Sequence, residues 1–487
     1  SVFQAGFYRL NQHTLKLDPI LNDFSGPANP WGIAFDEWGQ CFSCDGAGDV
    51  DYITQAMLPA QRKRKIDNIG KDGGYCGLTV IGSTRFPKDM RGQFLLGGFK
   101  NNRIPRFSVH SRGSGFKLKW SDPILKSSHR NFRPVALSMG PDGALYISDW
   151  YDPITCHQND YFRDPTRDRT HGRIWRLSVK GADGWKINLA KLNDADLVKQ
   201  LGSEERWYRD HARREMFNRD SKRMHRAIVR WAASDRRDDH ERYEALAALA
   251  TINEVDEPLL RKVLDSGEEG ARAFAAEWVG HWHDRLEDPL ALLEKAVVDS
   301  AEIVRLKAVL GCAHIPLARS IEVAAKVLDG DMDEGLEHAL AQAADHLKEH
   351  WVYNSGDLFK GNSRHLAAML SRVDSDDIRD QLVTLVRNQD LDASARLSVM
   401  RGLVTVGTGA DLRRLLEPKA YQFKGGYDAE THAAILEELA NVYRSQSKKP
   451  SGQLAGIFKQ LFAQKSIPVK RAAIELVSLW GVVEMQG

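Results

Sequence analysis

Two hydrophobic periodicities divide the chain. Up to about Ser178, apolar residues alternate with polar ones in short runs broken by glycine-containing turns, a pattern that predicts β-hairpins. Pro30-Trp-Gly-Ile-Ala-Phe-Asp-Glu-Trp-Gly-Gln-Cys-Phe-Ser-Cys-Asp45 and Pro134-Val-Ala-Leu-Ser-Met-Gly-Pro-Asp-Gly-Ala-Leu-Tyr-Ile-Ser-Asp149, 104 residues apart, are two versions of one strand–turn–strand unit. A third, Arg91-Gly92-Gln-Phe-Leu-Leu-Gly-Gly98, lies between them, so the turn glycines Gly39, Gly92 and Gly143 fall 53 and then 51 residues apart. A further strand repeats with Arg in the same place: Phe7-Tyr-Arg9-Leu10, Ile104-Pro-Arg106-Phe107 and Ile174-Trp-Arg176-Leu177. Beyond about Asn193 the alternation gives way to long helical patterns rich in Ala, Leu, Glu and Arg.

A repeat near 50 residues is a propeller-blade period. Residues 1–180 therefore read as about three blades of a partial β-propeller, 181–192 as a turn-rich linker and 193–487 as an α-helical repeat domain. Propellers close with about four to eight blades, and the chain opens on Ser1 directly before an apolar run, so a piece of a longer polypeptide is expected. In the helical part, Arg209 with Ala212, Arg242 with Ala245, Arg272 with Ala275 and Arg305 with Ala308 recur at spacings of 33, 30 and 33 residues, and Lys470 with Ala473 returns to that register. The small Ala lets neighbouring helices approach, and the basic residue is expected to meet the acidic loop before it (Glu204-Glu205, Asp238-Asp239, Glu268-Glu269, Glu302). The register resembles short HEAT-type repeats. Gly425-Gly426 interrupts it, helices are expected again over 433–443 and 469–480, and the apolar end Val477–Val483 points to further chain.

With 487 residues, 42% of them hydrophobic, and a net charge of +2, nothing at whole-chain level calls for nucleic acid or an anionic membrane. No run approaches the roughly 18–20 apolar residues of a membrane span, and no signal peptide is visible. The five cysteines (Cys41, Cys44, Cys76, Cys156, Cys312) are too sparse for a disulfide scaffold. Cys41 and Cys44 form a CxxC inside a predicted strand, with no second pair to complete a zinc site and Asp45 where a haem motif needs His, so both read as buried strand residues. Gly73-Gly-Tyr-Cys76-Gly77 reads as a flexible connection, and Arg62-Lys-Arg-Lys65 as a solvated surface run.

The densest reactive chemistry lies from Asp149-Trp150-Tyr151-Asp152 through His157, Arg163, Arg167 and His171. Loops on a rigid scaffold display ligand groups, so His171, His157, Asp149 and Asp152 are catalytic candidates, and Arg133, Trp150, Tyr151, Arg163 and Arg167 substrate-binding ones. The competing reading is that the Asp and Arg residues cross-link a long connection and His171 hydrogen-bonds locally. In the first blade the corresponding loop holds Asp45, Asp49 and Asp51, either a calcium site or a solvated turn. Strand-end Asp45 and Asp149 are expected at one face.

Asn29-Pro-Trp-Gly-Ile-Ala-Phe-Asp36, Phe132-Arg-Pro-Val135, Gly140 through Asp152, and Arg163-Asp-Pro-x-Arg-Asp-x-Thr-His-Gly-Arg-Ile-Trp-Arg176 resemble the exported planctomycete and verrucomicrobial proteins called membrane-bound dehydrogenase-domain or PVC-type haem-binding proteins. The resemblance spans about 1–180. It implies a propeller akin to quinoprotein glucose and sorbosone dehydrogenases, with PQQ and calcium as cofactors, then HEAT-like repeats, a c-type haem domain and a periplasmic or otherwise exported location. The chain departs from that plan: it lacks the front of the propeller and contains no CxxCH. No cofactor is therefore demonstrable in this chain, and haem is expected only in a C-terminal domain outside it.

Two functions follow as expectations. In the first, the chain is part of an exported sugar or alcohol dehydrogenase, the propeller face binding substrate or cofactor and the repeats acting as scaffold. In the second, propeller and repeats are a non-catalytic scaffold binding glycans or proteins. Replacing His171 or Asp149 by Ala is expected to lower turnover or affinity with little change in stability.

Overall fold

In the computed structural model, the described residues are 7–15, 17–21, 30–46, 48–54, 67–71, 73–155, 163–180, 187–354, 358–359, 362–373, 378–387, 391, 393–417 and 428–482. His157, Cys156, Arg62 through Lys65, most of the 180–185 joint and Gly425-Gly426 lie outside them.

The alternating segments form antiparallel sheets. β1 (Phe7–Leu10) pairs with β2 (Leu17–Leu21). β3 (Pro30–Phe35), β4 (Cys41–Asp45), β5 (Asp49–Ile53) and β6 (Asp67–Lys71) make a four-stranded meander, and β7 (Cys76–Val80), β8 (Phe94–Gly97), β9 (Arg103–Arg112) and β10 (Gly115–Lys126) make a second. β11 (Pro134–Met139), β12 (Leu145–Asp149) and β13 (Arg173–Leu177) make a three-stranded third. These are propeller-like blades, and the repeat read in the sequence is a repeat of register: Pro30 faces Asp45, and Pro134 faces Asp149.

The first strands of the blades lie side by side, β3 on β7 and β7 on β11. Two glycines permit it. A Cβ at Gly32 would sit 2.8 Å from the Leu78 nitrogen, and one at Gly77, whose φ is +71°, 3.0 Å from the Ala136 Cα. Gly77→Ala meets both a backbone clash and the positive-φ penalty, so it should destabilise the protein by about 1–3 kcal/mol, read as a lower denaturant midpoint with an unchanged slope. Between blades, Phe42, Phe94, Phe116 and Tyr52 pack edge to face, and Ile81, Leu95, Ile104, Leu137, Leu145 and Ile147 form a buried aliphatic cluster.

Cys41 and Cys44 are buried in β4, and burial pushes the Cys41 thiol up to about 12. The segment 73–77 is not a loose connection throughout: Tyr75 is fully buried, and Cys76 and Gly77 already belong to β7. Its glycines serve close backbone approach.

The helical part begins with α1 (Asp194–Lys199), α2 (Arg206–Phe217), α3 (Ser221–Ala232), α4 (Asp239–Thr251), α5 (Glu257–Leu264), α6 (Glu269–His281), α7 (Pro289–Ala296) and α8 (Glu302–Ala313). Asp220, Asp238, Asp256 and Asp288 cap α3, α4, α5 and α7 by accepting backbone N–H groups of their first turns. Ala212, Ala245, Ala275 and Ala308 are all fully buried, as the register requires. Two of their basic partners meet the expected acidic residue, Arg242 lying 3.5 Å from Asp239 and Arg305 3.6 Å from Glu302. Arg209, Arg272 and Arg305 each donate to the backbone carbonyl six residues earlier, that of Ser203, Ser266 and Asp299. Arg209 and Arg272 also pair forward with Glu244 and Asp299 of the following repeat. A carbonyl is fixed where an exposed acidic side chain is not, so at Arg209, Arg272 and Arg305 the loop backbone also takes the guanidinium.

Residues 1–314 with 333–339 form one compact unit, and 315–332 with 340–487 a second. The described helices of the second run from Arg319–Ala325 to Ile467–Trp480, and the last buries Ala473. Among the described residues no helix is long and apolar enough to cross a membrane.

Candidate functional site: the loop end of the third blade

The blades have two ends, and among the described residues the helices dock at one of them. At the hairpin-turn end, Trp38 packs edge-on against Tyr243 and His240 and over Gly270, where a Cβ would come within 2.2 Å of its ring. Thr84 N donates to Glu205 Oε1 at 2.9 Å, and Tyr208 Oη donates to the Pro141 carbonyl at 3.2 Å. The turns at Trp38 and Pro141, with the segment at Thr84, are thus docking points for α2, α4 and α6.

The same end holds Glu37, His240 and Glu244, whose ligand atoms all lie within 4.8 Å of one another; no other such trio of His, Cys, Asp or Glu occurs among the described residues. It is an ion-pair clamp. Arg209 bonds both Glu37 and Glu244, and Arg213 bonds Glu244, so two guanidiniums already occupy the carboxylates a cation would need. Burial pushes the Glu37 carboxyl up, but the His240 hydrogen bond and the Arg209 and Arg206 charges outweigh it and hold it at about 2.

The sequence candidates gather at the opposite end. Asp149, at the end of β12, is buried; Oδ1 accepts the Arg133 N–H at 2.7 Å and the Tyr151 N–H at 2.9 Å, and Oδ2 accepts Trp175 Nε1–H at 2.8 Å. Arg133, also buried, donates to the carbonyls of Asp152, Phe99, Lys100 and Pro153. Asp152 accepts the Ile154 N–H and pairs with Arg167 at 3.0 Å. These four side chains tie the loop to the blade.

His171 and Arg163 are exposed. His171 Nδ1 lies 2.9 Å from Asp168 Oδ2, and no partner of its Nε2 occurs among the described residues. The Thr170 N–H, then, against slight desolvation, the His171 ring hold the Asp168 carboxyl at about 2. In the first blade, Asp45 turns inward to accept the Asp49 N–H at 3.0 Å, and Asp45, Asp49 and Asp51 do not converge into a cation cage.

Tyr151 is the unusual residue. Its φ is +55°, a conformation bulky side chains rarely adopt, and it is held there by its N–H bond to Asp149 and by ring contacts. The His129 ring stacks on it at 5.6 Å, and the Arg173 guanidinium lies 3.5 Å from its centroid. Arg173 also approaches the Trp175 ring at 5.7 Å, while Arg167 lies 5.9 Å from that of Trp150. Trp150 is 41% exposed and Trp175 44%. Arg173, Trp175 and His129 were missed by reading the loop alone. The available signal was the alternation in β13, which puts residues 173 and 175 on one face.

The described residues do not fit the implied cofactors. The carboxylates proposed for calcium do not converge, and the only CxxC in the chain is buried in a strand without a following His. Arg133 and Arg167, cations of the kind a quinone carboxylate would need, are engaged by carbonyls and by Asp152.

Among solved structures, the chain is similar to a glucose dehydrogenase at 17% identity over 31% of this chain (TM-score 0.22), and to a Thermus thermophilus oxidoreductase described as a glucose dehydrogenase at 18% over 30% (TM-score 0.22). It spans 40% and 44% of the lengths of those two proteins. It is also similar to Kap121p at 16% identity over 59% of this chain and 33% of Kap121p (TM-score 0.31). No curated protein matches it. Residues 46–181 match the family model described as a domain of unknown function, DUF7133.

Proposed function

We propose that the loop end of the third blade is a non-catalytic recognition surface for a sugar or glycan, carried by a helical-repeat scaffold. The observation that carries this is Tyr151: a strained aromatic residue, kept at positive φ by a buried carboxylate, beside the exposed rings of Trp150 and Trp175. Backbone strain of about 1–3 kcal/mol persists where the surroundings over-determine it, and clusters at binding sites. Rings on a rigid base offer apolar area to the C–H faces of a sugar at little entropic cost. The candidate carboxylates Asp149 and Asp152 are bonded to loop groups, which favours binding over acid–base work there.

The test is a glycan array followed by calorimetry on the best-bound sugar. Trp150→Ala should weaken binding about tenfold, roughly 1.4 kcal/mol. Tyr151→Gly separates function from stability: glycine relieves about 1–2 kcal/mol of left-handed strain and loses a cation–π contact of about 0.5–1 kcal/mol. Its stability should stay within about 1 kcal/mol of the parent while binding falls. Absence of any glycan ligand, or a Tyr151→Gly protein that binds normally, overturns the reading.

A second reading, an exported sugar or alcohol dehydrogenase of the kind the sequence resembles, is favoured by His171. A carboxylate on Nδ1 and an outward Nε2 is the orienter–base arrangement of a proton acceptor. Dye reduction by the full-length protein, abolished in His171→Ala without loss of glycan affinity, would favour it over pure binding.

A further inference from the structure

We infer that the ledge formed by Tyr151, Arg173 and Trp175 receives an acidic sugar, its carboxylate or sulfate oxygens seated on the Arg173 guanidinium; this rests on the glycan-binding reading above. The guanidiniums of this blade differ in what they hold. Arg133 donates to four carbonyls, Arg167 pairs with Asp152, and Arg176 pairs with Asp142 at 2.7 Å. Arg173 is stacked over one ring and near a second, yet has no carboxylate or carbonyl acceptor among the described residues. Stacking fixes the plane of the guanidinium and leaves its N–H edges in that plane, which is the geometry that takes two oxygens of a planar or tetrahedral oxyanion side by side.

The surrounding charge agrees. Arg130 and Arg163 are exposed at the same end, also without a carboxylate partner among the described residues. The acids there are bonded internally: Asp149 to three donors, Asp152 to Ile154 and Arg167, Asp164 to Thr166, and Asp168 to Thr170 and His171. These carboxylates keep their charge, but each is turned to a donor of its own loop, so the groups free to meet a ligand beside the rings are the guanidiniums of Arg130, Arg163 and Arg173. A neutral sugar would satisfy the rings and leave the cations unmatched, whereas a uronate or a sulfate ester satisfies both.

The experiment measures binding of polygalacturonate, dextran sulfate and dextran to the full chain by affinity electrophoresis at about 0.15 M salt, where the Debye length is near 8 Å and diffuse attraction is screened. The protein is expected to bind at least one acidic polymer and to ignore dextran, the two acidic arms telling carboxylate from sulfate. Arg173→Gln should weaken acidic binding about tenfold or more, and Arg173→Lys should recover little, because a point charge lacks the planar fork. If Arg173→Gln also lowers the thermal midpoint, Arg173→Lys, which keeps an aliphatic stem over Tyr151, decides. Equal binding by the parent and both variants overturns the proposal, as does binding lost wholly to salt. Dextran bound as well as the acidic polymers overturns it while leaving the glycan reading intact, and failure of all three polymers together with an empty glycan array removes both.

Discussion

Lys307→Met should destabilise the unit that contains it by about 3–5 kcal/mol, the usual result of removing one partner of a buried ion pair. Lys307 is fully buried in α8 and donates to Glu277 Oε2 of α6 at 2.7 Å; Glu277 is 5% exposed. The two helices cross so closely that a Cβ at Gly280 would fall 2.8 Å from the Gly311 Cα, and the other groups facing the carboxylate are the His281 ring at 3.6 Å and Arg9 at 3.8 Å. Lys307→Met with Glu277→Leu should recover most of the loss, because an apolar pair of similar volume avoids desolvating either charge. Urea midpoints of the two variants check it; a single variant as stable as the parent would mean that Glu277 finds another partner.

The same pair sets an acid limit. Burial alone would raise the Glu277 carboxyl, but the Lys307 charge and the His281 hydrogen bond reverse this and hold it well below the ordinary glutamate value of 4.5. A depressed folded value means that unfolded chains bind the proton first as pH falls. The contribution is therefore fully present above about pH 4.5 and is lost progressively below it. Stability measured against pH should fall more shallowly in the double variant than in the parent over that acid range.

Asp149→Ala should cost about 2–4 kcal/mol, since it strands the Arg133 and Tyr151 N–H groups, while the exposed Trp175 N–H regains water. This reverses the expectation from the loop's composition, which places Asp149 as a reactive group whose removal leaves stability unchanged. Ligand affinity should fall with it, because Tyr151 loses the bond that holds its backbone. Thermal and chemical denaturation beside glycan binding distinguish the two: an unchanged midpoint with lost binding restores Asp149 as a ligand-contacting group.

Much of the architecture was legible because it rests on local repetition. Hairpins at a period near 50, the Arg-bearing strand and the buried alanines follow from the alternation of side chains in strands and from the need of paired helices for a small contact residue. The loop from Asp149 to His171 was rightly read as dense in polar groups, but composition could not say which were taken. Arg133 and Arg163 look alike in sequence; one is wrapped by four carbonyls from two chain segments, the other faces solvent.

The sequence by itself determined the strand and helix periods, the repeat lengths and the absence of a CxxCH motif, since each depends on residues near one another along the chain. Only the tertiary structure decided that the turns at Trp38 and Pro141 dock on helices, that Lys307 is buried, that Asp149 and Asp152 brace the loop, and that Arg173 lies across Tyr151 without an acceptor among the described residues. Burial and the partner of a charge depend on segments brought together from far along the chain. An aspartate and an arginine carry the same letters whether they hold a loop together or wait for a ligand.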